Sequence, residues 1–136
     1  MTPVLDASVF IAAISPAERH HGRARRLFDS HPDTEPFLVP DLFRVEVVAG
    51  LTRRGEPAAF VDTVDAVIRG PRFHSRPLDG VLLDRTVLVA RTARLRAYDA
   101  VYVALALLAD APILTLDEEV VQRSSASFAE LRVFGS

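Results

Sequence analysis

Apolar residues fall along this chain in two rhythms. Short unbroken runs, Val4-Leu5, Phe37-Leu38-Val39 and Ile113-Leu114-Thr115, read as strands buried on both faces, the second closed by Pro40. Between them, apolar positions recur three and four apart, as on one side of a helix. A short helix is expected to follow the first strand through Ala12 and Ala13. Ser15-Pro16-Ala17 then offers an N-cap and a proline at the first helical position, which predicts a helix to about Asp29 with Ala24, Leu27 and Phe28 inward. After the turn-rich Pro32 to Pro36, Asp41 is expected to cap a helix from Leu42 to about Arg54. Pro57 opens another, with Phe60, Val61, Val64, Val67 and Ile68 on one face and Asp62, Asp65 and Arg69 on the other.

Gly70-Pro71 breaks the chain, Phe73 to Leu78 alternates like a strand, and Asp79 caps a helix from about Val81 to Thr92. Leu95 to Ala106 is apolar all round, so this helix belongs at the centre. Asp110-Ala111-Pro112 turns into the Ile113 strand, a short helix runs through Val120 and Val121, and Leu131 to Phe134 reads as a final edge strand. Strands alternating with helices predict an α/β fold, a central parallel sheet of about five strands with right-handed crossovers and helices on both sides. Residues 1–136 are the size of one domain.

Composition narrows the chemistry. There is no Cys, which removes disulfides, thiolate metal sites and thiol nucleophiles. All 16 basic residues are Arg, so reactions that depend on a catalytic Lys, among them P-loop phosphate chemistry and Schiff bases, are excluded. The stretch before Asp6 lacks the basic region of a signal peptide, and the apolar run from Val101 to Ala109 is too short to span a bilayer, so a cytoplasmic location is expected. Arg19, Arg23 and Arg26 recur at helical spacing, which reads as a solvated face, and His20, His21 and His31 sit in polar surroundings without spaced partners.

Four acids stand out because each interrupts an apolar setting. Asp6 ends the first strand, Glu46 has Leu42 and Gly50 one turn away on either side, Asp99 lies in or just before the first turn of the central helix, and Asp117 ends the fourth strand. If the fourth strand lies beside the first, across the point where strand order reverses, Asp6 and Asp117 become neighbours at the carboxyl edge of the sheet, and the helices carrying Glu46 and Asp99 close the cluster. Carboxylates crowded together raise one another's pKa, and a hard divalent cation such as Mg²⁺ or Mn²⁺ relieves the repulsion. A metal pair about 3.5 to 4 Å apart is suited to phosphodiester cleavage. Taken singly, Asp99 and Asp117 also read as helix N-caps, and Glu46 as the partner of a buried Arg.

The chain resembles the PIN-domain ribonucleases, and among them the VapC-type toxins of toxin–antitoxin pairs. The likeness rests on Leu5-Asp6-Ala7-Ser8, on Pro40 followed by Val45-Glu46-Val47, on Tyr98-Asp99-Ala100-Val101-Tyr102-Val103-Ala104-Leu105-Ala106, and on Leu114-Thr115-Leu116-Asp117, and it covers nearly the whole chain. The resemblance implies a Mg²⁺ or Mn²⁺ site built by Asp6, Glu46 and Asp99 with Asp117 as a more variable fourth acid, and Ser8 and Thr115 in support. It further implies an endoribonuclease acting on structured RNA such as tRNA or ribosomal RNA, a homodimer, and a cognate VapB-type antitoxin. Two divalent ions would take the formal charge from −2 to about +2. Arg94 and Arg96, just before Asp99, are the preferred contacts for RNA, ahead of Arg19, Arg23, Arg26, Arg53 and Arg54. The rival expectations are a PIN-like module that binds RNA or protein without cutting, and a housekeeping nuclease with no antitoxin. A phosphatase of the Asp-nucleophile type is opposed by Ser8 and the missing Lys, and a serine hydrolase by the lack of a Gly-x-Ser-x-Gly elbow.

Overall fold

The computed structural model describes residues 2–135. Its elements in order are β1 (Val4–Leu5), α1 (Ala7–Ile14), α2 (His21–Asp29), β2 (Phe37–Pro40), α3 (Leu42–Arg53), α4 (Ala58–Ile68), β3 (Phe73–Arg76), α5 (Gly80–Ala93), α6 (Ala97–Ala109), β4 (Ile113–Leu114), α7 (Glu118–Ser127) and β5 (Val133–Phe134). All strand pairs are parallel and the sheet runs β3-β2-β1-β4-β5. The order reverses between β1 and β4, which meets the condition under which Asp6 and Asp117 become neighbours, so their carboxyl ends form the cleft at which ligands bind in open α/β sheets.

Right-handed crossovers assign α1 to α4 to one face of that sheet and α5 to α7 to the other. Helix packing follows the same division: α1 rests on α2 and α3, α3 on α4, and α5 on α6 and α7. Helix α6 lies across β1, β2 and β4, and its residues Ala100 to Ala106 are all buried, which accounts for an apolar pattern with no polar side. On the opposite face Phe10, Phe43 and Phe73 pack ring to ring, and Arg72 lies over Phe37 at 4.9 Å and Phe28 at 5.5 Å. No helix among the described residues is long and apolar enough to cross a membrane.

Several local expectations need correction. Ser15 does not begin a helix but ends α1, and residues 15–20 form turns in which the Glu18 N–H donates to the Ser15 carbonyl at 2.9 Å. The local N-cap signal loses because Ser15 is buried against the core, whereas α2 starts only at His21. Asp41 does not cap α3: its backbone is already helical, and its carboxylate accepts instead from Ser75 Oγ at 2.7 Å, beside β3. Val67 is half exposed, so the buried face of α4 is carried by Val64 and Ile68. His31 is not in polar surroundings, since its ring lies 4.6 Å from that of Phe37. Asp79 caps α5 as expected, accepting from the Leu82 N–H at 2.9 Å.

Candidate active site

Asp6 leaves β1 and serves as N-cap of α1, so backbone geometry fixes it at the seam between the strands that diverge around it. Its own N–H donates to the Leu114 carbonyl at 3.0 Å, which ties it to β4. The carboxylate is buried. Its Oδ2 accepts from the Thr115 hydroxyl at 2.8 Å and its Oδ1 from the Ser8 N–H at 3.3 Å. Burial pushes its pKa up, and Asp117 adds to the rise, while the Thr115 and Ser8 hydrogen bonds oppose it.

Glu46 reaches the same region from α3. The Tyr102 hydroxyl donates to its Oε1 at 2.7 Å, so the buried Arg considered as its partner is not there. Burial pushes the Glu46 carboxyl up to about 7; the Tyr102 hydrogen bond lowers it, and the charges of Asp6 and Asp99 raise it. Asp99 lies in the first turn of α6 and does not occupy the cap position, which Arg96 takes. Its carboxyl is pushed up to about 6, first by burial, then by Asp6 and Asp117, with Arg96 opposing and Glu119 contributing a further rise. Asp117 does act as an N-cap: its Oδ1 accepts from the N–H groups of Glu119 at 2.9 Å and Val120 at 3.2 Å. The Thr115 hydroxyl also accepts from the Asp117 N–H at 3.2 Å, so one threonine links two of the acids.

The four acids named from the sequence therefore meet at one edge of the sheet and act on one another electrostatically. Among the described residues, however, no three His, Asp or Glu side chains stand close enough to hold one ion as placed. The donors suit a hard cation in kind, being all carboxylate and hydroxyl oxygens, two of them with carboxyl pKa values displaced toward neutrality. Positive charge comes from Arg96, 74% exposed, whose guanidinium stands 3.5 Å from Asp99 and 3.7 Å from Asp117. Arg94 is placed differently: it takes the left-handed conformation that ends α5, and its carbonyl accepts from Arg123. Two residues that bear on the site were not singled out from the sequence. Tyr102 lies three residues after Asp99 on the same helical face, a spacing that could have flagged it. Glu119 carries no such signal beyond its closeness to Asp117.

No curated protein matches the sequence. Among solved structures, VapC20 of Mycobacterium tuberculosis, described as a sarcin-ricin loop cleaving toxin, superposes with a TM-score of 0.75 at 20% identity, covering 96% of this chain and 99% of that one. FitAcB from Neisseria gonorrhoeae gives 0.73 at 16% identity, covering 98% and 97%. A toxin–antitoxin complex from Klebsiella pneumoniae gives 0.70 at 15% identity, covering 98% and 96%. At these identities the likeness is one of fold. The family model of the PIN domain matches residues 4–125, nearly the full length, and the chain therefore belongs to the PIN-domain family.

Proposed function

We propose that this protein is a Mg²⁺- or Mn²⁺-dependent endoribonuclease and the toxin of a VapBC-type toxin–antitoxin pair. The observation that carries the reading is the meeting of Asp6, Glu46, Asp99 and Asp117, from four separate segments, at the strand-order reversal, with the carboxyls of Glu46 and Asp99 pushed up by burial and by their neighbours' charge. The solved structures of similar fold support the toxin assignment: one is described as a sarcin-ricin loop cleaving toxin and another as a toxin–antitoxin complex. By the same analogy the RNA is a structured one, tRNA or ribosomal RNA, the working form is a cytoplasmic homodimer, and the cell holds the protein inactive with a VapB-type antitoxin.

Asp6, Glu46 and Asp99 would hold the cation, with Asp117 as the fourth donor. A bound divalent cation supplies positive charge to the scissile phosphate and makes an attacking water more acidic. The chain's part is to hold the donors. Thr115 and Ser8 favour the charged form of Asp6 against its burial, and Tyr102 does the same for Glu46 while fixing its side chain. Arg96, exposed and spanning Asp99 and Asp117, is placed to meet a phosphate oxygen once the acids are neutralised. A rival reading, a PIN-like module that binds RNA without cutting, draws on the same arginine, because Arg96 already supplies part of the positive charge the acids require.

Cleavage of RNA by pure protein separates the two readings. Activity is expected with Mg²⁺ or Mn²⁺ and not in excess chelator, and Asp6→Asn or Asp99→Asn should abolish it with the fold intact by circular dichroism. Asp65→Asn is the control, since Asp65 pairs with Arg44 at 2.6 Å on the surface. Undiminished cleavage in chelator, or full activity of both variants, would sink the metal-dependent mechanism. Expression without a partner should slow growth, and the Asp6→Asn form should not; normal growth with soluble, RNA-cleaving protein would favour a housekeeping nuclease.

A further inference from the structure

Beside the acids lies a second feature that the carboxylates do not explain. A cleft of about 340 Å³ opens between the 15–20 turns, the end of α3 and the segment leading into α7, and Ser8 and Asp117 line one side of it. The opposite side carries Arg19, His20 and Arg54, with one acid, Glu18, among them. Arg54 is fixed there: its guanidinium pairs with Glu18 at 2.7 Å and folds back to donate to the Gly50 carbonyl at 2.9 Å. Gly50 permits that placement, because a Cβ there would lie 3.1 Å from the guanidinium and 2.8 Å from Ile11. Arg19, by contrast, is exposed and has no hydrogen-bond or ion-pair partner among the described residues. Many other arginines are committed to carboxylates or carbonyls, as Arg25 is to Asp29, Arg44 to Asp65 and Arg132 to Asp110.

Leu116 lines this cleft and also the next one, which contains Arg23 and Arg26 of α2. The stripe read from the sequence as a solvated face thus begins beside Asp117 and leads away from the acids. We propose that this stripe is the track of the substrate strand: the phosphate next to the scissile one sits in the cleft against Arg19 and Arg54, and the strand continues over Leu116 toward Arg26. This inference rests on the ribonuclease reading above and adds the route by which RNA approaches. An unpartnered cation beside a fixed one suits a phosphodiester, which presents two anionic oxygens, and a cleft of this size is at the small end for ligand sites, room for a single-stranded unit. Arg19 and Arg26 act by binding ground state and transition state alike, so they govern KM and leave kcat alone.

The test is steady-state cleavage of unfractionated tRNA and ribosomal RNA with Mg²⁺, alongside binding of the labelled RNA at several salt concentrations. Arg19→Ala should raise KM about tenfold with kcat unchanged, the loss of one charge-assisted contact. Each arginine removed should reduce the slope of log affinity against log salt by about 0.7. Glu18→Gln removes the acid that offsets Arg54 and should lower KM, a sign that simple damage to the turns would not give. Arg132→Ala, at the amino edge of the sheet away from the acids, should match wild type. A KM for Arg19→Ala equal to wild type, or a higher KM for Glu18→Gln, overturns the track while leaving the nuclease in place; that is also the outcome if the cleft receives an acidic peptide instead. Wild type that neither binds nor cuts RNA refutes the nuclease reading itself, and the track with it.

Discussion

Replacing Glu46 with Gln should make the metal-free protein more stable, by an amount that grows as pH rises from 4.5 and is complete above about 7. In wild type the carboxyl is pushed up from 4.5 to about 7, chiefly by burial, with Asp6 and Asp99 adding to the rise. Between those two values the folded state binds more protons than the unfolded chain, so stability falls as pH rises through the window, and the penalty is complete above about 7. At 1.36 kcal/mol per unit the shift corresponds to about 3 kcal/mol, and solvent screening of a half-buried side chain brings it to about 2 kcal/mol. The amide oxygen can still accept from Tyr102, and relief of the charge on Asp6 and Asp99 acts in the same direction. The Glu46→Gln protein in chelator should therefore melt about 5–10 °C above wild type at pH 8 and alongside it near pH 4.5, read by circular dichroism. With Mg²⁺ a hundredfold above its dissociation constant, wild type should gain roughly 2.7 kcal/mol and the variant less, closing the gap. A melting difference independent of pH, or a variant less stable than wild type at pH 8, would refute the account of these acids as a mutually repelling cluster.

Tyr102→Phe keeps the buried ring and removes the hydroxyl that holds Glu46, so the Glu46 carboxyl should titrate still higher and the acid limb of the pH–rate profile should move to higher pH, with cleavage at pH 6 losing more than at pH 8. Thr115→Val deletes the hydroxyl shared by Asp6 and the Asp117 N–H and should cost about 1–3 kcal/mol in denaturant melts, because a buried carboxylate loses its partner. Gly135→Ala places a Cβ 2.0 Å from the Thr115 carbonyl oxygen, so either the chain end moves off β4 or Thr115 shifts; a loss of about 1–3 kcal/mol together with lower activity is expected, and wild-type values for both would contradict the packing.

The acids were legible because each breaks a local rule. A carboxylate inside Val4 to Ile11 has no reading as ordinary surface, and a strand entered from Pro112 has to deliver Asp117 at its far end. The alternation of elements predicts a parallel sheet but leaves the strand order open; that β4 lies beside β1 enters the sequence reading as a condition, and the fold meets it, which brings Asp6 and Asp117 together. What could not be read were choices made between distant segments. Ser15 carries a good cap signal, but the core takes it; Asp41 carries another, but Ser75, 34 residues away, takes its carboxylate. The partner of Glu46 is 56 residues off, and Arg96 finds Asp117 only through the fold. Local chemistry names the candidates, and tertiary packing decides what each one touches.

Strand β1, which precedes the other four in chain order, occupies the middle of the sheet, and on one side its neighbour is β4. Asp6 and the threonine that holds it are 109 residues apart. While the chain is still emerging from the ribosome, then, β1 has β2 to pair with but lacks β4, Thr115 and Asp117. Three of the four acids can be exposed with the site unassembled, and no amino-terminal fragment that stops short of β4 contains it. A chain truncated by premature termination before Thr115 would be incomplete as an enzyme whatever else it folded into. Under the ribonuclease reading proposed above, a nascent copy has no assembled site until the segment from β4 onward has left the ribosome and paired with β1.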